Sequence, residues 1–255
     1  AARRSRPTAY AGRETAPAAA TPDRFLNPDG TPMAFRDAVA TGLAVGVPGV
    51  LRMLELAHRR HGRLAWAELF APAIALAEGG FRVSPRLAAL IASDAHLKTD
   101  SRASRYFFDA EGRPLAAGTL LANPAYAATL RAIARGGADA FYRGPIAEDI
   151  VATVRRPPSR PGDLSLADLA GYRAIEREPV CGVYRRHRVC GMPPPSSGGT
   201  TVLAILGMLE PYDVASMGAA SFWSVHFVSE AGRLAYADRN AFVGDPAFVD
   251  VPAGL

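Results

Sequence analysis

The stretch Met192-Pro193-Pro194-Pro195-Ser196-Ser197-Gly198-Gly199-Thr200-Thr201 runs directly into the apolar segment Val202 to Leu209. Three consecutive prolines fix φ and remove three backbone donors, so the chain reaches this point stiff and extended rather than helical. The glycine pair then opens backbone conformations closed to other residues. Val202, Leu203, Leu206 and Leu209 follow at helical spacing. Two uses of such a corner stand open. Free N–H groups and hydroxyls at a helix N-terminus favour an anion. Alternatively, the serines and threonines cap the helix while the glycines let it pack closely on a neighbour. The stretch is not a P-loop, because it has no lysine and the wrong spacing. Nor is it a Gly-x-Ser-x-Gly elbow, since no glycine stands two before Ser196 or Ser197.

With 255 residues, 49% of them hydrophobic, the chain can build one large or two small cored domains and is not of the disordered class. Its net charge of +5 does not indicate nucleic acid. Lys98 is the only lysine, and the arginines are scattered or in doublets such as Arg59-Arg60 and Arg155-Arg156. A strand-binding groove needs a basic stripe with interleaved aromatics, which is absent from the sequence. No apolar run reaches the length of a membrane span; Ala38 to Leu51 comes nearest and is broken by Gly and Pro. Ala1 to Arg6 is basic with no apolar run behind it, so no signal peptide is read there. His58 and His61 lie at helical spacing among arginines, the pattern of a solvated face rather than a metal pair. No metal site is expected.

Along the chain, Thr8 to Ala11 reads as a short strand that Gly12-Arg13-Glu14 leaves. Thr21 to Phe35 is turn-rich, and Ala38 to Val47 reads as a buried strand. Past Pro48-Gly49 an amphipathic helix is expected to about His61, with Leu51, Leu54, Leu56 and Ala57 inward and Arg52, Arg59 and Arg60 outward. Further helices are expected over Trp66 to Ala77, from Ser84-Pro85, from Asn123-Pro124 to Gly136-Gly137, and over Ile146 to Val154. The third of these carries Tyr126, Leu130 and Ile133 on one face. Tyr106 to Phe108 reads as a short strand before an Asp109 to Arg113 turn, and Pro157 to Pro161 as a loop. Ser165 three before Asp168 outlines a capping box for a short helix. Tyr172 to Tyr184 is strand-like. If Arg185-Arg186 is a two-residue turn, Tyr184 faces His187 and Cys181 falls opposite Cys190. These are the only two cysteines, and opposed strand positions suit either a disulfide or two reduced core thiols. Ser221 to Ala241 reads as a long helix with Phe222, Val225, Val228 and Ala235 on one face.

The segment Met192 to Gly199, MPPPSSGG, resembles a hallmark of the γ-glutamyltransferases (γ-glutamyltranspeptidases). Matches in family order stand on both sides: Gly12-Arg13-Glu14-Thr15-Ala16-Pro17, Gly46-Val47-Pro48-Gly49 and Leu69-Phe70-Ala71-Pro72-Ala73 upstream, with Ala77 to Phe81 after them. Downstream come Glu230-Ala231, Ala235-Tyr236-Ala237-Asp238-Arg239 and Gly244-Asp245-Pro246. The resemblance implies an α/β (α+β) fold, the αββα sandwich of N-terminal-nucleophile hydrolases. The whole of 1–255 would be one large-subunit portion, truncated at both ends, helix-rich and incomplete without the small subunit. It implies that a precursor cleaves itself and that the small catalytic subunit carries an N-terminal Thr nucleophile, lying beyond Leu255. By the same resemblance Arg13 binds the α-carboxylate of a γ-glutamyl small-molecule donor such as glutathione, and no metal or cofactor is needed. The planar guanidinium suits that task, since it grips a carboxylate with two parallel hydrogen bonds. By the resemblance, the family's substrate-binding Ser and Gly pairs belong to the small subunit; Ser196, Ser197, Gly198 and Gly199 look similar but are not those residues, so no catalytic residue is assigned to this chain. A periplasmic or secreted location follows from the resemblance and the candidate disulfide. Two alternatives remain: an acylase acting on glutaryl or cephalosporin-type amides, and a non-catalytic scaffold.

Overall fold

The computed structural model describes residues 7–157 and 160–252. They fall into two compact units, one of residues 12–174 and one of the described residues among 1–11 and 175–255.

Helices are the main regular structure of the larger unit. Its elements are α1 (Phe35–Val39), a 3-10 turn at Gly42–Ala44, α2 (Val50–His61), a second 3-10 turn at Trp66–Phe70, α3 (Ala71–Gly79) and α4 (Pro85–Ser93). There follow α5 (Ser101–Phe107), α6 (Pro124–Gly136), α7 (Asp139–Tyr142), α8 (Pro145–Arg155) and α9 (Leu166–Gly171). One antiparallel ladder joins Phe81–Arg82 to Leu120–Leu121. Local chemistry starts several helices. The Ser84 and Asn123 side chains accept from the Leu87 and Tyr126 amides at 3.1 and 2.9 Å, each followed by a proline. Ser165 and Asp168 close a full capping box. The core gathers Val47, Tyr142, Val151, Val154, Leu164 and Leu169, with Tyr172 at its margin. The loop expected at Pro157 to Pro161 includes Pro158 and Ser159, which lie outside the described residues, as do Ala1 to Arg6.

Four expectations fail here, two of them for long-range reasons. Ala38 to Val47 is not a strand: α1 ends within it and the 3-10 turn follows. Gly42 is the cause, because it packs so closely on the Val154 carbonyl and the Gly162 backbone that a Cβ would overlap both. Tyr106 and Phe107 are helical, since Asp100 caps α5 by accepting from the Arg102 and Ala103 amides at 2.9 Å. Arg52 does not face water. Its side chain is only 14% exposed and covers the ring of Tyr142, with the guanidinium carbon 4.6 Å from the ring centre. Leu54, expected inward, is 45% exposed.

In the smaller unit Ala9–Ala11 pairs antiparallel with Ile175–Arg177. Val180–Tyr184 and His187–Gly191 form a hairpin, followed by α10 (Gly198–Leu209) and α11 (Phe222–Phe242). Arg185 takes φ 57° in the two-residue turn. Its amide and guanidinium bond the Glu210 carboxylate and carbonyl oxygens at 3.0 and 2.8 Å. That turn sets Tyr184 opposite His187 and Cys181 opposite Cys190, whose sulfurs are bonded. A loop this short has little entropy to remove, so replacing both cysteines with Ala is expected to lower stability by about 2 kcal/mol. Chemical denaturation in the presence and absence of a reductant checks this, and equal midpoints would contradict it.

The proline-glycine corner resolves in favour of close packing. A Cβ on Gly199 would lie 2.5 Å from the Met192 carbonyl oxygen, and one on Gly191 would lie 2.5 Å from the Gly199 Cα. The Ser197 side chain does not cap α10; Thr200 donates back to the Ser197 carbonyl at 3.0 Å, and Ser197 accepts from Arg239 Nε at 3.2 Å. The stripe read on α11 also divides. Ala231 and Ala235 are buried, while Phe222, Val225 and Val228 are 75%, 54% and 46% exposed. Small residues let the two helices approach, and the bulky ones are left on the outer side.

Candidate functional site

Arg13 sits in a loop of the larger unit that its backbone pins from several directions. Gly12 lies against α2, where a Cβ would come within 2.5 Å of Met53 Cβ and 3.0 Å of the Gly49 carbonyl oxygen. Thr15 and Val47 form an antiparallel bridge, with the Val47 amide donating to the Thr15 carbonyl at 2.8 Å. The Ala18 amide donates to Asp168 Oδ1 at 2.9 Å. Tyr172 donates its hydroxyl to the carbonyl oxygen of Arg13 itself at 2.6 Å. The backbone is thus fixed while the Arg13 side chain stays 54% exposed. Glu14 Oε1 stands 3.9 Å from Arg13 Nε, and with both groups solvated this ion pair contributes little.

Beneath the loop lies a layer that the sequence reading did not single out. The Tyr172 and Tyr142 rings stack at 6.0 Å with an interplanar angle of 10°. Tyr142 donates to the Pro48 carbonyl at 2.7 Å. Burial pushes the Tyr142 phenol up to about 12 and raises that of Tyr172, with the Glu14 charge adding to the second. Arg52 pairs with Asp139 and Glu55, and its hydrogen bond and charge hold the Asp139 carboxyl below its ordinary value. Glu55 Oε1 also accepts from the Ala138 amide at 3.0 Å. No local pattern announces this layer, because its bonds run from residue 172 to 13 and from 142 to 48.

The layer sets a pH dependence. A phenol whose value is raised in the folded state favours the neutral form there. Its contribution is therefore complete below pH 10 and is lost as pH rises from the ordinary value of 10.0 through about 12. On the order of 2 kcal/mol of stability is expected to disappear across that window from Tyr142. Unfolding followed at pH 9 to 12 should fall less steeply for Tyr142→Phe than for the parent; identical slopes would contradict the assignment.

Two open clefts flank these groups. One of about 300 Å3 is lined by Thr15, Ala16, Val47, Asp168, Tyr172 and Arg173, among others. The other, of about 350 Å3, holds the Arg52, Glu55, Arg59 and Asp139 ion-pair network with Arg143 and Arg173. Among the described residues, no group of three or more His, Cys, Asp or Glu is placed to hold a metal ion, and no helix is long and apolar enough to cross a membrane. Ser196 to Gly199 form the helix corner described above.

A family model described as gamma-glutamyltranspeptidase matches residues 1–255. The chain is 39% identical over 246 residues to the glutathione hydrolase proenzyme of Escherichia coli (strain K12), covering 96% of this chain and 42% of that one. It is 40% identical over 218 residues to the acylase ACY 1 proenzyme of Pseudomonas sp. (strain SE83), covering 85% and 38%. The chain therefore spans about two-fifths of the length of the curated relatives it matches. The crystal structure of Helicobacter pylori gamma-glutamyltranspeptidase aligns with a TM-score of 0.89 at 35% identity, over 96% of this chain and 69% of that one. A cephalosporin acylase from Bacillus halodurans aligns with a TM-score of 0.76 at 28% identity, over 95% and 45%. The helix-rich α/β architecture is that of these N-terminal-nucleophile hydrolase structures. By sequence and by fold, the chain belongs to the gamma-glutamyltranspeptidase family.

Proposed function

We propose that this chain is the large-subunit part of a γ-glutamyltransferase. The assembled enzyme takes the γ-glutamyl group of a glutathione-like donor and passes it to water or to an amine acceptor. In that reading residues 1–255 form a single large-subunit portion. The autoprocessed partner supplies an N-terminal Thr, whose hydroxyl attacks the γ-amide while its own α-amine takes the proton. Acyl transfer through a Thr ester requires no metal or cofactor. The observation that carries the reading is Arg13: a guanidinium exposed on a rigidly pinned loop, suited to a bidentate grip on the donor's α-carboxylate. The exposed outer residues of α11 accord with a segment that a partner covers. The Cys181–Cys190 bond supports a periplasmic or secreted setting.

The likeness to acylases favours one further reading, hydrolysis of glutaryl or cephalosporin-type amides. The intact precursor decides between them. Mass spectrometry of the purified protein should find a companion chain whose first residue is Thr, and the pair should turn over γ-glutamyl anilide in preference to glutaryl anilide. The reverse preference would make it an acylase. A protein with no companion and no turnover would be a scaffold.

A further inference from the structure

We propose that Tyr172 is a positioning residue for Arg13, its hydroxyl fixing the backbone from which the guanidinium reaches the donor's carboxylate. The inference rests on the carboxylate-binding reading of Arg13 and adds a residue to it.

The bond goes to the carbonyl of Arg13 and not to a neighbour, so it acts on the peptide unit that begins at the binding residue. Tyr172 has almost no freedom to move. Its side chain is buried, and its ring lies nearly parallel to that of Tyr142 with the centroids 6.0 Å apart; Tyr142 is anchored in turn to the Pro48 carbonyl. Its hydroxyl end abuts Gly49, where any Cβ would overlap both the Tyr172 oxygen and the Gly12 carbonyl. The two loops held by the tyrosines also meet each other, through Gly12 against Gly49 and through the Thr15–Val47 bridge. One rigid stack therefore sets the position of both. Bidentate capture needs this, because a site held more loosely than about 0.5 Å loses much of its binding energy. The Glu14 carboxylate, hydrated and 3.9 Å from Arg13 Nε, is poorly suited to supply that precision.

A tyrosine that merely fills the core would destabilise the enzyme when altered without acting through Arg13. A double-mutant cycle separates the two roles. Tyr172→Phe keeps the ring and its stacking and deletes only the hydroxyl. In the intact processed enzyme, assayed with γ-glutamyl-p-nitroanilide, it should raise KM about fivefold to tenfold with kcat within about twofold. On an Arg13→Ala background the same change should raise KM no further, since the group it positions is gone. Trp66→Phe, which keeps an aromatic ring but removes the Trp66 Nε1 bond to the Ile133 carbonyl, outside the stack, serves as the structural control. It should lower the thermal midpoint while leaving KM within about twofold. KM does not depend on the fraction of protein that folds, so a poor yield of either variant leaves the comparison valid. Equal KM increases on both backgrounds, no increase at all, or the same increase from Trp66→Phe would each overturn the assignment. If Arg13→Ala alone behaves as wild type, the carboxylate reading falls and this inference with it. If Arg13→Ala is impaired and Tyr172→Phe is not, only the inference falls.

Discussion

Arg13→Ala in the intact enzyme is expected to lower kcat/KM for a γ-glutamyl anilide by about 100- to 1,000-fold. The substitution removes two charge-assisted hydrogen bonds to a carboxylate, each contributing about 1.5 to 3 kcal/mol, with the total discounted because the site is partly hydrated. Most of the loss should appear as a raised KM, because the α-carboxylate does not change charge during the reaction and is gripped equally in ground and transition states. Arg13→Lys restores the charge but not the planar fork, so it should recover only part of the loss, leaving about a tenfold deficit. Folding should be nearly untouched. The side chain is more than half exposed, so the thermal midpoint should move by no more than about 2 °C. Steady-state kinetics of the three proteins, with calorimetry alongside, check all of this. Wild-type KM and kcat in Arg13→Ala would remove the role.

The elements that sequence reading places well are those written in adjacent residues. Ser84-Pro85, Asn123-Pro124 and the Ser165 to Asp168 box start helices through bonds spanning three positions, and Gly80 ends α3 with φ 79°. The hairpin register follows from counting outward from a two-residue turn. Apart from Tyr106 and Phe107, which the neighbouring Asp100 cap makes helical, what failed depends on partners far along the chain. Small and branched residues over Ala38 to Val47 suit a strand, but Gly42 meets Val154 and Gly162, so close packing selects a 3-10 turn instead. Arg52 reads as a solvated cation until Tyr142 and Asp139 arrive from ninety residues away and make its burial favourable. The candidate site divides in the same way. Arg13 enters as a candidate through a resemblance carried by its neighbours, whereas Tyr172, 159 residues distant, left no mark near the motif. The α11 stripe shows a further limit: helical periodicity says which residues share a face, but not whether that face meets the core.

Gly49→Ala is expected to be among the most damaging single-methyl changes in the larger unit, lowering stability by about 3 to 5 kcal/mol. Its backbone, φ −118° and ψ −17°, is open to any residue, so conformational freedom is not the reason for glycine here. The reason is space. The added Cβ would overlap the Tyr172 hydroxyl and the Gly12 carbonyl together, and neither can yield easily. Tyr172 is held from behind by Tyr142, and Gly12 by Met53 and the start of α2. Relief therefore requires breaking the Tyr172 bond to Arg13, which strands a buried hydroxyl and releases the loop. The thermal midpoint should fall by roughly 10 °C, and whatever folds should bind the γ-glutamyl donor more weakly. Gly171 supplies the contrast. It closes α9 with no atom within 4 Å of its would-be Cβ, so Gly171→Ala should be neutral or stabilising by up to about 1 kcal/mol. Equal midpoints for the two alanine variants would mean that the tyrosine layer is loose, and a loose layer could not position an arginine.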